Sequence, residues 1–260
     1  MASTSRIDER LVTLGLAESR SQAQRLIMAG SVRVDDQLVD KASTKVRDDQ
    51  AVEVIAGPPF VSRGGEKLEN ALVDHAERIA AEGFTIVGAN AIDVGASTGG
   101  FTDCLLQRGA AHVAAVDVGY GQLHQSLRAH PQVTMLERTN ARHLAPGDLP
   151  YSPDLLVCDA SFIPLATVLP ATIALMDQAA GWWGVLLCKP QFEAGRDRMN
   201  KHGRKGVLVD VDVRAQVVEE CVASVRAMGV EVLDVVQAHP PGPKGNIEYA
   251  LLVRDATSPS

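Results

Sequence analysis

Short apolar strands and helical segments alternate along this chain from Val61 onward. Helices are predicted to begin near Gly99, Gln122, Ile163 and Asp212. Seven strands are predicted at residues 91–94, 113–118, 133–136, 155–158, 185–188, 230–236 and 247–253. Because such alternation places successive strands parallel in one sheet with helices on both faces, we expect an α/β fold with a seven-stranded, mostly parallel sheet.

The first 56 residues follow a different pattern. Ile7, Leu11 and Leu14 recur at helical spacing, and Ser19 with Gln22 indicates a capping box that opens a second helix. Short strands are predicted at 32–34, 37–39 and 52–55, before the letters G-P-P break regular structure. We expect a small α+β domain over residues 1–56, a linker over 57–62 and the α/β domain over 63–256.

Composition restricts the kinds of site that the chain can hold. Its four cysteines form no C-x-x-C pair and its seven histidines show no metal-ligand spacing, so we expect neither a metal site nor a disulfide framework. The first residues lack the apolar stretch of a secretion signal, and the uncharged residues 160–176 contain two prolines and are too short for a typical membrane span. We therefore expect a cytoplasmic protein that does not span a membrane. The sequence gives no indication of its oligomeric state.

A glycine-rich turn with the letters G-A-S-T-G-G follows the first strand of the α/β region. Gly95, Gly99 and Gly100 allow the backbone to approach a ligand closely. Asp117 ends the next strand, where a carboxylate accepts hydrogen bonds from a ribose diol. A nicotinamide cofactor would place its pyrophosphate near Asp93, whereas a sulfonium cation tolerates this carboxylate. The sequence therefore favours S-adenosylmethionine over a dinucleotide, and over a turn that is only structural.

Charged residues stand at three other strand ends. Asp159 and Lys189 each follow a buried strand, and Glu248 opens the last one. Lys67 precedes the first strand, within S-R-G-G-E-K-L. Catalytic groups in open α/β sheets collect at the carboxyl ends of strands, so these four residues are candidates for the chemistry.

A basic segment lies directly after Lys189, in a chain whose net charge of −7 argues against indiscriminate polyanion binding. It carries five cations against Asp197 alone, and it is either an RNA clamp or a mobile charged loop. Its cations are Arg196, Arg198, Lys201, Arg204 and Lys205. Arg63, beside a Gly-Gly pair, is a further candidate for contact with phosphate.

Two sets of motifs resemble known families. R-I-D-E-R-L, S-R-S-Q-A-Q-R-L-I-M-A-G-S-V-R-V-D and V-R-D-D-Q-A-V-E-V resemble the S4 RNA-binding domain. S-R-G-G-E-K-L, D-V-G-A-S-T-G-G-F-T-D, D-A-S-F-I, K-P-Q-F-E and G-N-I-E-Y resemble the TlyA family, also called haemolysin A. In that family an S4 domain precedes an FtsJ-like (RrmJ-type) ribosomal RNA 2′-O-methyltransferase. The resemblance covers nearly the whole chain.

This resemblance implies a class I Rossmann-like methyltransferase that modifies a cytidine ribose of 16S or 23S rRNA, as free RNA or in ribosomal subunits. It implies a catalytic tetrad of Lys67, Asp159, Lys189 and Glu248, in which a buried lysine near a second cation can act as a base. With the turn, the predicted cofactor contacts are Asp93, Gly95, Ala96, Ser97, Thr98, Gly99, Gly100, Asp117 and Asp159. The predicted RNA contacts are Arg6, Arg20, Ser21, Gln24, Arg25, Arg33, Arg63, Arg196, Arg198, Arg204 and Lys205.

Other functions remain to be weighed against this interpretation. An rRNA base methyltransferase commonly uses an N-P-P-Y-type motif or a catalytic cysteine, whereas the corresponding strand end here reads C-D-A-S-F. A membrane-active haemolysin requires amphipathic or spanning segments, and the sequence shows no convincing segment of either kind. An S4-linked pseudouridine synthase would not need the glycine-rich turn. A binding module with an inert second domain would not need three charged residues at strand ends and Lys67 beside the Gly-Gly pair.

Overall fold

The computed structural model describes residues 4–28, 30–55 and 58–256. The chain divides into two compact units, Met1–Pro59 and Phe60–Ser260. The predicted linker over 57–62 begins at Gly57, which lies outside the described residues.

The first unit is a small α+β structure with an apolar core that includes Ile7, Leu11 and Ile27. Its elements are β1 (Thr4–Arg6), α1 (Ile7–Thr13), α2 (Arg20–Met28), β2 (Val32–Val34), β3 (Gln37–Leu38), β4 (Lys45–Arg47) and β5 (Val52–Val54). Strands β3, β2 and β5 form one antiparallel sheet, and β1 pairs with β4. The predicted cap is present at α2, because Ser19 Oγ accepts a hydrogen bond from the Gln22 N–H at 3.2 Å.

The second unit alternates strands and helices along its length. Its elements are α3 (Arg63–Asp74), α4 (Ala76–Ala81), β6 (Asn90–Val94), α5 (Gly100–Gln107), β7 (His112–Val116), α6 (Gln125–Arg128), β8 (Val133–Leu136), β9 (Leu155–Cys158), α7 (Leu165–Val168), α8 (Pro170–Ile173), β10 (Trp183–Cys188), α9 (Pro190–Glu193), α10 (Gly195–His202), β11 (Gly203–Arg204), β12 (Val207–Leu208), α11 (Val211–Arg226), β13 (Val230–Gln237) and β14 (Tyr249–Asp255). Short 3₁₀ turns lie at Ala141–His143 and Pro243–Gly245.

The large sheet confirms the predicted fold class. Its seven strands have the order β13-β14-β10-β9-β6-β7-β8. The pairs from β10 through β9, β6 and β7 to β8 are parallel, whereas β14 runs antiparallel to both of its neighbours. The chain reverses its direction across the sheet at β6, which has β7 on one side and β9 on the other. Ligands in such sheets bind at this point, beyond the carboxyl ends of the strands.

Both faces of the central strands are covered. Ile92, Leu156 and Leu186 belong to one apolar cluster, while Leu155 and Val185, next to them in sequence, belong to a second. All five side chains are at most 1% exposed. This burial on both faces explains why the strands read as continuous apolar runs.

Glycines permit helix α3 to pack directly against the start of α5. A Cβ on Gly100 would lie 2.4 Å from Ser62 Oγ and 2.6 Å from the Gly65 nitrogen. A Cβ on Gly65 would lie 2.3 Å from Cγ of Phe60. Side chains larger than hydrogen therefore do not fit at these positions, and the close approach holds Lys67 of α3 beside the glycine-rich turn.

The Gly65 contact predicts a specific loss of stability. Gly65→Ala should lower the free energy of unfolding by about 1–3 kcal/mol, because the added methyl group collides with the Phe60 ring. Gly64→Ala is the matched control, since a Cβ there would have no neighbour nearer than 3.5 Å. Guanidinium unfolding followed by tryptophan fluorescence reports on this unit, which contains Trp182 and Trp183. Equal midpoints for the two variants would contradict the packing.

Candidate active site

The fold gathers the predicted catalytic residues at one edge of the large sheet. Asp159 follows the carboxyl end of β9 and Lys189 that of β10. Glu248 lies just before β14 rather than in it. Because β14 is antiparallel to β10, with Tyr249 paired to Cys188, its beginning lies at this same edge. Lys67 reaches the edge from α3.

Lys189 is buried among three oxygen acceptors. Its Nζ lies 2.6 Å from Asp159 Oδ1 and donates hydrogen bonds to the Asp159 carbonyl at 3.0 Å and to Ser161 Oγ at 2.8 Å. The Asp159 carbonyl and the Ser161 hydroxyl accept hydrogen bonds from Nζ, whereas Asp159 Oδ1 is an ion-pair partner without hydrogen-bond geometry. Ser161 is exposed, and its hydroxyl is the only neutral side-chain group among the three. A hydroxyl of a substrate can therefore take its place beside Lys189.

Lys67 and Glu248 form a second buried ion pair, with Lys67 Nζ 2.5 Å from Glu248 Oε2. Lys67 is 7% exposed and Glu248 is 1% exposed. Gln191 Nε2 donates to the other carboxylate oxygen of Glu248 at 3.1 Å. A Cβ on Gly242 would lie 2.2 Å from that oxygen, so the loop before β14 can cover Glu248 only with glycine there. Lys67, Gln191 and the loop at Gly242 thus all contact the Glu248 carboxylate.

Two adjoining cavities meet at Asp159. The first, of about 510 Å³, is lined by all four tetrad residues, together with Arg63, Asp93 and the glycine-rich turn. The second, of about 450 Å³, is lined by Asp117, Asn140 and the apolar side chains of Val116, Val118 and Ile163. Residues shared by both are Gly95, Ser97, Asp159, Ser161 and Phe162. Both volumes lie in the range of small-molecule sites, so one cavity can hold a cofactor beside a substrate in the other.

Asp117 organises the glycine-rich turn. One carboxylate oxygen accepts the Ser97 N–H at 2.8 Å, and the other accepts the Gly119 N–H at 2.6 Å. Gly95 has a positive φ of 83°, and a Cβ there would lie 2.9 Å from the Ala160 backbone. The turn therefore lies against the loop that carries Asp159. Among the predicted cofactor residues, Asp93, Gly95, Ala96, Ser97, Thr98, Gly100 and Asp159 line the first cavity, and Asp117 lines the second. Gly99 contributes its positive φ and close packing against Leu127.

Asp93 is fully buried beneath the turn. Its Oδ2 accepts hydrogen bonds from the Thr102 N–H at 3.0 Å and from Thr102 Oγ1 at 2.7 Å. Its Oδ1 has no hydrogen-bond partner among the described residues. Burial, with a smaller contribution from the charges of Asp159 and Asp117, raises the pKa of Asp93 to about 7. A cation bound next to this carboxylate would replace the missing partner.

Several side chains that line the two cavities were not predicted as site residues from the sequence. Ser161, Gln191 and Asn140 are small or neutral residues, for which the sequence gives no charge signal. Phe162 is 87% exposed, has a positive φ of 66° and packs against Phe192 with ring centroids 4.7 Å apart. Phe162 comes shortly after Asp159 and directly after Ser161. A phenylalanine next to such polar residues could have been recognised from the sequence as one that does not belong to the apolar core.

The predicted RNA contacts of the first unit lie mostly on its surface. Ser21, Arg25 and Arg33 are exposed. Arg6, Arg20 and Gln24 instead hydrogen-bond to a common carboxylate, that of Asp8.

The predicted RNA-binding cations of the second unit differ in their exposure and in their ion pairing. Arg63 is exposed and lines the first cavity. Arg198 is paired with Glu220 of α11 through two hydrogen bonds, of 2.5 and 2.8 Å. The other predicted cations are exposed on α10 and the β11–β12 hairpin, namely Arg196, Lys201, Arg204 and Lys205. Lys244, which the sequence analysis did not select, also lines the first cavity and donates to the Lys205 carbonyl at 3.3 Å.

The described residues hold neither a cluster suited to a metal ion nor a helix suited to span a membrane. No group of three or more histidine, cysteine, aspartate or glutamate side chains is placed to hold a metal ion. No described helix combines the length and the apolar character needed to cross a membrane. The uncharged stretch over residues 160–176 contains the short helices α7 and α8.

Asp93 predicts a pH dependence of stability. Its pKa rises from an ordinary 3.8 to about 7 on folding, so its stabilising contribution is complete below about pH 4 and is lost as the pH rises through 7. Between pH 4 and 7 the free energy of unfolding should fall by on the order of 3–4 kcal/mol relative to Asp93→Asn. Tryptophan-monitored guanidinium unfolding measures this difference. Asp212→Asn, at an exposed position of α11, controls for net charge, and the same slope in both variants would contradict the assignment.

Comparisons with known proteins agree with this geometry. The family model of FtsJ-like methyltransferases matches residues 60–254, and that of the S4 domain matches residues 5–52. The 16S/23S rRNA (cytidine-2′-O)-methyltransferase TlyA of Mycobacterium tuberculosis is 45% identical over 259 residues, covering 99% of this chain and 92% of the relative. Hemolysin A of Brachyspira hyodysenteriae is 36% identical over 245 residues, covering 94% and 97% of the two chains.

A solved structure gives the same result. A protein from Streptococcus thermophilus, named as a hemolysin, is 35% identical with a TM-score of 0.71, over 100% of this chain and 91% of that chain. The resemblance, the fold class and the enzyme class expected from the sequence are thereby confirmed. The chain belongs to the TlyA family, in which an S4 domain is joined to an FtsJ-like methyltransferase domain.

Proposed function

We propose that this enzyme transfers a methyl group from S-adenosylmethionine to the 2′-hydroxyl of a cytidine in ribosomal RNA. One observation carries the proposal. Two buried lysine–carboxylate pairs, Lys189 with Asp159 and Lys67 with Glu248, line the same cavity as the glycine-rich turn. A base, a carboxylate that orients it and a cofactor turn are the groups that alkylation of a ribose hydroxyl requires.

The second cavity fits S-adenosylmethionine by the chemistry of its lining. Asp117 accepts one hydrogen bond on each oxygen and retains lone pairs for a ribose diol. Val118 and Ile163 offer an apolar surface for an adenine ring. In the adjoining first cavity, the unpartnered oxygen of Asp93 favours a cation over a pyrophosphate. When bound, this cofactor supplies an electrophilic methyl group.

The lysines have separate roles in the proposed reaction. Lys189 Nζ, once it has released one proton to water, binds the target hydroxyl in the position of Ser161 Oγ. It takes the hydroxyl proton as the new C–O bond forms and the C–S bond of the methyl donor breaks. Asp159 holds Lys189 through its carboxylate and its carbonyl. Lys67, fixed by Glu248, binds the ribose within the same cavity. Holding the hydroxyl at a fixed position supplies much of the rate, because methyl transfer needs in-line alignment.

Ribosomal RNA is the proposed substrate because of the relatives and the cations. The Mycobacterium tuberculosis relative is named for cytidine methylation of 16S and 23S rRNA. The S4 domain and Arg63 are the proposed RNA-binding elements. A further exposed cation, Lys244, lines the first cavity and donates to the carbonyl of Lys205, which is also exposed.

The alternative functions receive no specific support. Burial raises the pKa of the Cys158 thiol to about 12, which makes it a poor nucleophile for a base methyltransferase. All four cysteines are buried. The hemolysin name of some relatives corresponds to no spanning helix in the described part of the chain.

Removing the proposed base tests the function directly. Lys189→Ala should lower the initial rate of methyl transfer to ribosomal subunits at least about 100-fold, because the hydroxyl proton loses its acceptor. Calorimetry should show S-adenosylmethionine binding within about threefold of the unmodified chain, since the turn, Asp93 and Asp117 are unchanged. Arg78→Ala removes a cation that lines neither cavity, and its rate should stay unchanged. Near-normal methylation by Lys189→Ala would refute the proposal.

A second prediction concerns the RNA contacts. Arg63→Ala should weaken binding to ribosomal RNA and reduce the slope of log affinity against log salt by about 0.7–0.9, the loss of one phosphate contact. Arg198→Ala should change the slope less, because Glu220 already occupies that guanidinium. Filter binding over a salt series gives both slopes. An Arg198 effect equal to that of Arg63 would show that the ion pair opens for RNA.

A further inference from the structure

Asp8 is a buried carboxylate at the second position of α1, with no exposed surface. Three side chains donate four hydrogen bonds to it. Arg6 donates from Nε to Oδ1 at 2.9 Å and from Nη2 to Oδ2 at 3.0 Å. Arg20 Nη2 and Gln24 Nε2 donate to Oδ2 at 3.2 and 3.0 Å. One carboxylate thus joins residues from β1 and from two turns of α2.

The charge on Asp8 is secured by these partners. The hydrogen bond from Arg6, with further ones from Gln24 and Arg20, holds the pKa of Asp8 well below its usual range, even though burial opposes this. A buried charge is costly unless it is paired and hydrogen-bonded. Asp8 therefore stays ionised, and the two guanidinium groups stay attached to it.

The arginines reach solvent on their other sides. The Arg6 side chain is 39% exposed and the Arg20 side chain is 52% exposed. A guanidinium has five N–H donors, and Arg6 uses two of them on Asp8. Arg20 is also braced by Glu9, with Nη1 3.2 Å from Oε1. Each arginine is thus fixed on its inner side and offers free donors outward.

Arg25, Arg33 and Arg47 of this unit lack a buried partner of this kind. Arg25 and Arg33 are exposed and make no ion pair within the described residues. Arg47 pairs with Asp49 at the same i, i+2 spacing and the same 2.9 Å distance as Arg6 with Asp8. Both members of that pair are more than half exposed, at 55% and 63%. Burial, rather than spacing, distinguishes Asp8.

We infer that Asp8 is a positioning residue that orders Arg6, Arg20 and Gln24 into a preformed donor set for RNA phosphates. The inference rests on the proposed function, in which this unit binds RNA. Free arginine side chains lose rotamer freedom when they bind a ligand, and this loss weakens binding. Asp8 orders the two arginine side chains before RNA arrives. Their loss of rotamer freedom therefore occurs when the protein folds and does not weaken RNA binding.

A positioning role for Asp8 and a purely electrostatic role predict opposite changes in RNA affinity when Asp8 is substituted. Asp8→Asn removes a negative charge, so if only charge mattered, RNA binding should tighten. If Asp8 positions the arginines, the same substitution should weaken binding by about tenfold, because two long side chains must then be ordered on binding. Asp49→Asn makes the same charge change at the exposed pair, and it should leave RNA affinity unchanged or slightly stronger.

The experiment uses the full chain and ribosomal subunits from an unmodified strain. Asp8→Asn should raise the Kd and KM for subunits about tenfold, while kcat at saturation and the KM for S-adenosylmethionine stay within twofold, which general damage to the enzyme would not allow. Unchanged or tighter binding overturns the inference. Binding measured without cofactor separates the two proposals: weaker binding by Asp8→Asn supports positioning even if the chain proves inactive.

A measurement on the unsubstituted chain covers the case in which Asp8→Asn does not fold. Nitrogen relaxation of arginine Nε–H groups should show Arg6 as rigid as the backbone in the free protein, and Arg33 and Arg47 as mobile. If Arg6 is as mobile as Arg33 before RNA is added, no donor set is preformed, and the inference is wrong.

Discussion

Each buried lysine at the carboxyl edge of the sheet needs a carboxylate partner, and the rest of the structure determines where that partner can be. Lys189 and Lys67 are 6% and 7% exposed, so their charges cannot be left to water. Lys189 finds Asp159 at the end of the adjacent parallel strand. Lys67 finds Glu248, which is 181 residues away in sequence. Such buried pairs contribute little net stability, and the proposed function gives them a role in the chemistry of the site.

The Lys67–Glu248 pair depends on two features of the fold. Strand β14 lies antiparallel between β10 and β13, so its beginning, rather than its end, faces the site. A parallel strand would place Glu248 at the opposite edge of the sheet. The glycines of α3 and α5 then allow the close helix packing from which Lys67 reaches Glu248. Sheet order and helix packing thus converge on a single ion pair.

Much of this arrangement could be predicted from the sequence. Alternating apolar strands gave the parallel sheet, and the positions of Asp159, Lys189 and Glu248 at strand ends gave the edge of the site. The pairing of β1 with β4 was missed, because three-residue strands leave no clear periodicity. The partners of Asp8 and Arg198 could not be predicted either, since each contact joins residues from different elements. The sequence presents Asp8 as one acid among many, and only its burial reveals that it holds two arginines.

The position of the transferred methyl group tests the central claim most directly. The chain is incubated with methyl-labelled S-adenosylmethionine and ribosomal subunits from an unmodified strain, and the RNA is then hydrolysed with alkali. Methylation of a 2′-hydroxyl blocks cleavage at that nucleotide, so the account predicts that the label is recovered in an alkali-resistant dinucleotide containing cytidine. Label on a base in a mononucleotide would contradict it, because the paired lysines of this site would then have no hydroxyl to activate.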